Sequence, residues 1–115
     1  HSLGTITILR FLEALSKNEK AGGIVLVGGF SESLDFKPLE TFTEKPLDYE
    51  KVKKSTGKIV AINSTDDQSV PFRFGEIIRD KLDAELIVLN GAGHINAESG
   101  YFKLPEALDA ILKMV

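Results

Sequence analysis

Three short apolar runs punctuate the chain: Ile24-Val25-Leu26-Val27, Lys58-Ile59-Val60-Ala61-Ile62 and Glu85-Leu86-Ile87-Val88-Leu89. Each is rich in β-branched residues and empties into a glycine-containing or polar loop, the pattern of a strand buried in a sheet. Around them the apolar positions recur at helical spacing. Thr5–Leu15 carries Ile6, Ile8, Leu9, Phe11, Leu12 and Leu15 over most of its circumference, which predicts a largely buried helix. Polar Ser16–Lys20 and Gly22-Gly23 read as the connection that follows. Pro71–Leu82 places Phe74, Ile77, Ile78 and Leu82 on one face, with Pro71 suited to a first turn. A last helix spans Leu104–Met114, with Pro105 near its start and Leu108, Ile111 and Leu112 expected to face inward.

Phe30–Thr56 follows neither period. It holds Phe30, Phe36, Phe42, Tyr49, Pro38 and Pro46, with a short helix expected over Leu47–Lys54 and Asp48 near its start. Connections this long in compact domains often serve as lids or binding loops. Phe30, Phe36 and Phe42 are therefore candidates to cover an acyl or small apolar group. An ordinary satellite core beneath the loop explains them equally well. The order helix, strand, insert, strand, helix, strand, helix implies parallel strands joined by right-handed crossovers. The expected fold is α/β, a three-stranded parallel sheet with flanking helices.

Composition narrows the function classes. A chain of 115 residues suffices for one domain, and 43% hydrophobic with 27% charged residues describes an ordinary folded protein. A net charge of −3 without a basic cluster disfavours nucleic acid as a partner. No apolar run reaches membrane-spanning length and no signal peptide is visible, so no membrane role is expected. The absence of cysteine removes disulfides, thiolate metal sites and a cysteine nucleophile, and is compatible with the cytoplasm, the expected location.

The chemistry lies in the loops. Asn63-Ser64-Thr65-Asp66-Asp67-Gln68-Ser69-Val70-Pro71 follows the second strand, and Asn90-Gly91-Ala92-Gly93-His94 follows the third. Loops at the carboxyl ends of parallel strands are where open α/β sheets place working groups, so these two should share an edge. Asp67 is placed to orient a histidine and stabilise its charged form, with Asp66 a solvated neighbour. Paired acids also suit turns or hard metals, but no third acid lies nearby in sequence. His94, flanked by Gly93, is either a base or a surface-loop histidine. His1 is too close to Ser2 along the chain to swing onto it easily. His1-Ser2-Leu3-Gly4 matches the end of a nucleophile elbow, G-x-S-x-G, in which glycine allows close backbone approach and the following helix offers amides to an oxyanion. Taken alone, these four residues favour an unstructured terminus or a cloning scar.

Together the pieces resemble an α/β-hydrolase, and more narrowly the small serine hydrolases of the retinoblastoma-binding protein 9 type. The resemblance rests on His1-Ser2-Leu3-Gly4, Ile24–Val27, Phe42-Thr43-Glu44-Lys45-Pro46, Ser64-Thr65-Asp66-Asp67 with Val70-Pro71, and Gly93-His94. It runs along the whole chain but over the second half of that family's domain. It implies Ser2 as nucleophile, Asp67 as acid, His94 as base and the Leu3 amide as an oxyanion donor, with no cofactor or metal. The implied activity is hydrolysis of a small ester, thioester or amide, the partner being a small-molecule acyl substrate. The family's elbow strand and its second oxyanion donor precede these residues. Residues 1–115 are thus expected to be a partial hydrolase domain, weak or inactive alone. The bare edge beside Ile24–Val27 is then open to the missing first half or to a second copy. The competing expectation is a non-catalytic interaction module on the same scaffold. A flavodoxin-like phosphate binder fits less well, since no phosphate loop follows Gly28-Gly29.

Overall fold

Strands and helices alternate through residues 1–115, all of which the computed structural model describes. The order is α1 (Leu3–Ala14), β1 (Ala21–Val27), α2 (Tyr49–Lys54), β2 (Thr56–Ser64), α3 (Arg73–Leu82), β3 (Glu85–Leu89) and α4 (Pro105–Leu112). Short 3-10 turns add Lys37–Phe42 and Ala97–Ser99. The strands form one sheet, ordered β1-β2-β3 and parallel throughout. Val27 pairs with Ile62, and Ile62 with Ile87, so the carboxyl ends of all three strands lie at one rim.

The alternation of side chains along β2 divides the core into two layers. Ile59 and Ala61 face Ile6, Leu9 and Leu12 of α1, Val52 of α2, and Phe74, Ile78 and Leu82 of α3. Val60 and Ile62 face the other way, onto Ala110 of α4 and the loop residues Ala92 and Ile95. Every residue of β2 from Ile59 to Ser64 is buried, which fits its central place and continuous apolar run. Asp48 caps α2 by accepting from the Lys51 amide at 3.0 Å.

Three expectations are corrected. Gly22-Gly23 is not a connection but part of β1, where Ala21 pairs with Thr56 and Gly23 with Lys58. The neighbouring strand explains the glycines: a Cβ on Gly57 would lie 2.2 Å from the Gly22 carbonyl oxygen. In α4 the face turned inward is Ala110, with Leu104, Ala107 and Met114 beside it. Leu108, Ile111 and Leu112 point outward, 57%, 49% and 60% exposed. Small residues let this helix lie close against the sheet, and its larger apolar residues are left without cover. On α1, likewise, Phe11 is 62% exposed although Ile6, Leu9 and Leu12 are buried. β1 is an edge strand with Ile24, Val25 and Val27 only half-buried. No helix is long and apolar enough to cross a membrane.

Candidate active site

Ser2 stands between the end of β1 and the start of α1. Its amide donates to the Val27 carbonyl at 2.9 Å, and its own carbonyl accepts from the Thr5 amide at 2.9 Å and the Thr5 hydroxyl at 2.6 Å. The backbone turns sharply here, with φ 52° and ψ −120°. A non-glycine residue held in such a conformation stores roughly 1–3 kcal/mol, which the surrounding bonds must offset. The turn lifts the Ser2 hydroxyl above the rim of the sheet. The close approach expected at Gly4 is absent, since a Cβ there would meet nothing within 4 Å. Close approach occurs instead at Gly29, where a Cβ would come within 2.8 Å of the Thr5 side chain, and at Gly93, where it would lie 2.5 Å from Ser99 Oγ.

Asp67 follows β2, and its carboxylate is fully buried. Oδ1 accepts from the amides of Ser69 and Val70, each at 2.9 Å, which fixes the side chain against its own loop. His94 Nδ1 lies 2.9 Å from Oδ2 and 3.1 Å from Oδ1. A carboxylate can only accept, so Nδ1 carries the proton and Nε2 presents its lone pair. That nitrogen stands 2.9 Å from Ser2 Oγ, placed to accept the hydroxyl proton. Three side chains separated by 65 and 27 residues of sequence thus form one continuous line. The His94 side chain is 18% exposed, open enough to meet a substrate.

The loop that carries His94 is fastened to the loop after β2. Gly91 N donates to Thr65 Oγ1 at 3.1 Å, Ala92 N to Ser64 Oγ at 2.9 Å and Gly93 N to Asp66 Oδ1 at 2.8 Å. Ser64 Oγ in turn donates to Asp66 Oδ1 at 2.9 Å. Gly91 and Gly93 adopt φ 67° and 58°, which lets three successive amides turn toward one side. Asp66 is therefore more than a solvated neighbour. It is exposed, but it ties down the residue before His94. The Gly93 amide and then the Ser64 hydroxyl hold its carboxyl below the ordinary aspartate value. The bonds between the two loops join residues 26 to 28 apart and leave no mark on the local sequence.

At the head of α1 the Leu3 amide has no protein acceptor, as the first turn of a helix leaves its amides free. It adjoins Ser2, where an oxyanion would form. A cleft of about 340 Å³ opens beside Ser2, lined by Leu34, Phe36, Leu39, Gln68, Ser69 and Val70. Of the aromatic candidates, Phe36 lines it. Phe30 does not: it is 1% exposed and packed in the core, its amide bonded to Thr5 Oγ1. Phe42 is also outside the lining, and its carbonyl accepts from Arg10 Nε at 3.2 Å. Leu34, Leu39 and Val70 line it without standing out in the sequence as binding residues, since an aliphatic residue carries no chemical signal until a cleft forms around it. A larger hollow, about 530 Å³, lies among Lys53, Lys58, Asp83 and Glu85, at the starts of β2 and β3. It is an open surface hollow whose walls carry ion pairs, Lys58–Glu85 at 2.9 Å among them, and Ser2, Asp67 and His94 are not among its lining. Residues 1–115 gather no group of three His, Cys, Asp or Glu side chains that could hold a metal ion.

A hydroxyl, an imidazole and a carboxylate aligned at the carboxyl rim of a parallel sheet, with helices on both faces, is the layout of an α/β-hydrolase. The family described as serine hydrolase matches residues 1–113, and the chain belongs to it. YdeN of Bacillus subtilis (strain 168) is 39% identical over 112 residues, covering 96% of this chain and 59% of YdeN. The serine hydrolase RBBP9 of Rattus norvegicus is 27% identical over 96 residues, covering 82% of this chain and 50% of that protein. The crystal structure of the Bacillus subtilis ydeN product superimposes with a TM-score of 0.91 at 38% identity, covering 99% of this chain and 62% of the other. A crystal structure titled esterase PE8 shares the fold, with a TM-score of 0.65 at 20% identity. The chain therefore spans between half and two thirds of the length of YdeN and RBBP9, and 47% of the esterase PE8 chain.

Proposed function

We propose that the protein hydrolyses a small ester, thioester or amide with Ser2 as nucleophile, His94 as general base and Asp67 as the acid that orients it. The observation that carries this reading is the unbroken line from Ser2 Oγ through His94 Nε2 and Nδ1 to Asp67 Oδ2, each step 2.9 Å. Ser2 Oγ attacks the substrate carbonyl while His94 Nε2 takes its proton. Asp67 stabilises the imidazolium so formed. The oxyanion meets the Leu3 amide, near the positive end of α1. Collapse of the tetrahedral intermediate expels the leaving group, which receives the proton from His94 and leaves an acyl-Ser2 ester. Water then attacks that ester, with His94 again acting as base, and the acid product departs. The acyl part fits the cleft between Leu34, Phe36, Leu39 and Val70, and no cofactor is required.

We place a second oxyanion donor outside residues 1–115 and expect these residues alone to turn over slowly. Loss of one such donor typically costs about 10²–10³ in rate. The cysteine-free composition fits a cytoplasmic setting. A second reading, an interaction module without catalysis, is favoured by the uncovered Leu108, Ile111 and Leu112 and by the open edge of β1. A fluorophosphonate probe separates the two. Covalent labelling of the protein expressed from its complete gene, lost in Ser2→Ala, supports the hydrolase. Labelling that persists in Ser2→Ala, or none in the unmodified protein, rejects it.

A further inference from the structure

His94 is gripped at a third point that the hydrolytic machinery does not use. His1 Nε2 lies 2.7 Å from the His94 carbonyl oxygen. A carbonyl accepts, so His1 Nε2 is the donor, whichever charge state the ring adopts. The two imidazoles pack at 4.7 Å between centroids, tilted by 54°. The ring of His1 occupies the space above Gly28, where a Cβ would stand 3.5 Å from His1 Nε2 and 3.7 Å from Asp67 Oδ2. The backbone of His1 is itself anchored, its carbonyl accepting from the Gly4 amide at 2.9 Å.

The accepting carbonyl belongs to the peptide that joins His94 to Ile95. Ile95 is buried and has φ 53°. A β-branched residue at positive φ is a true outlier, because its Cβ crowds the backbone there. Rotating the His94–Ile95 peptide plane would relieve the crowding, and would swing the His94 carbonyl away from His1. Contacts must hold the strained orientation, and this peptide has one at each end: the Ile95 amide donates to the Ala92 carbonyl at 3.1 Å, and His1 Nε2 holds the His94 carbonyl.

Resting on the hydrolase reading above, we propose that His1 is a positioning residue: its Nε2–H clamps the His94–Ile95 peptide and so keeps the His94 ring aligned between Ser2 and Asp67. His1 takes no proton from substrate and touches no reacting atom. The elbow residue thereby links the nucleophile's turn to the base's loop. Asp66 holds the same loop one residue earlier, through the Gly93 amide. His94 is thus fastened on both sides along the backbone as well as at both ring nitrogens.

The test compares His1→Phe, His1→Ala and His1→Gln in the protein expressed from its complete gene. Phe keeps the ring without the donor, whereas Gln restores an amide N–H at similar reach. One neutral hydrogen bond corresponds to roughly three- to tenfold in rate. Phe and Ala should lower kcat by about that factor with KM changed less than about twofold. Gln should recover most of it, which a loss of packing alone would not allow. A crystal structure of His1→Phe should show the His94–Ile95 peptide rotated and Ile95 at negative φ. Unchanged kcat in His1→Phe, no recovery in His1→Gln, or Ile95 still at positive φ in His1→Phe would each overturn the proposal. If the unmodified protein fails to react with the probe, the hydrolase reading fails by itself, and the crystal structure alone then decides the clamp.

Discussion

Replacing Asp67 with asparagine isolates the orientation of His94 from the integrity of its loop. The carboxylate makes two kinds of contact, accepting from the Ser69 and Val70 amides at 2.9 Å and from His94 Nδ1 at 2.9 Å. An asparagine carbonyl keeps the two amide bonds and the shape of the turn. Its NH2 group then faces His94 Nδ1, which must accept rather than donate. The proton moves to Nε2, and the lone pair facing Ser2 Oγ disappears. Where a serine hydrolase has lost its orienting acid this way, kcat falls by about 10⁴. At about 1.4 kcal/mol per tenfold, that is about 5.5 kcal/mol of transition-state stabilisation. Stability should scarcely move, since both amide bonds survive. Asp67→Ala, by contrast, strands the buried Val70 amide and the part-buried Ser69 amide, and each should cost about 1–3 kcal/mol. Initial rates on a chromogenic ester, with thermal melting of both variants, make the comparison. An Asp67→Asn enzyme within tenfold of the unmodified rate would refute the argument, because the tautomer would then not matter.

Phe36→Ala should raise KM for esters with an apolar acyl group several-fold and leave acetate esters nearly unchanged, since Phe36 lines the cleft beside Ser2 while 56% exposed. Steady-state kinetics across a short acyl series reads this directly. Asp66 has a carboxyl held low by the Gly93 amide and the Ser64 hydroxyl, so its contribution is fully present above the ordinary aspartate value. That contribution fades as pH falls through the lowered folded value. The stability gap between the unmodified protein and Asp66→Asn should be flat above about pH 5 and shrink in strong acid, as chemical denaturation at several pH values will show. Gly57→Ala drives a Cβ to 2.2 Å from the Gly22 carbonyl oxygen, a backbone atom that cannot step aside. It should part β1 from β2 at their starts, lower the melting temperature by several degrees and accelerate amide exchange at Ala21 and Gly23.

Strand and helix order was legible because each apolar run and each helical stripe announces itself locally. The loops of Asp67 and His94 are expected to share an edge because each follows a buried parallel strand, and the structure places them together. Ser2 enters only through the resemblance to the serine hydrolases, since its own four residues favour an unstructured terminus. What local pattern could not supply was the side a helix presents. In α4 the apolar positions cover much of the circumference, and Ala110 rather than Leu108 or Ile111 meets the sheet. That choice depends on how closely helix and sheet approach. Gly22-Gly23 carried the composition of a turn, yet opposite Gly57 it forms a tight strand pair. Phe30 looked like a binding-loop aromatic and is core, because β1 ends just before it and turns its ring inward. The roles of Asp66 and His1 are long-range bonds to backbone atoms, 27 and 93 residues distant, which no sequence period encodes.

The wall of the cleft facing Val70 is built by Leu34, Phe36 and Leu39, from a stretch that adds no strand to the sheet. The reactive line is delivered by strand ends and an elbow. If the protein is the hydrolase proposed above, much of its selectivity then lies in a passage apart from the reactive line, with Gln68, Ser69 and Val70 of the Asp67 loop the point where the two meet. On the proposed hydrolase reading, drift within residues 31–46 would retune which molecules are accepted while leaving the line of Ser2, His94 and Asp67 in place, and exchanging that passage between homologues should shift the preference.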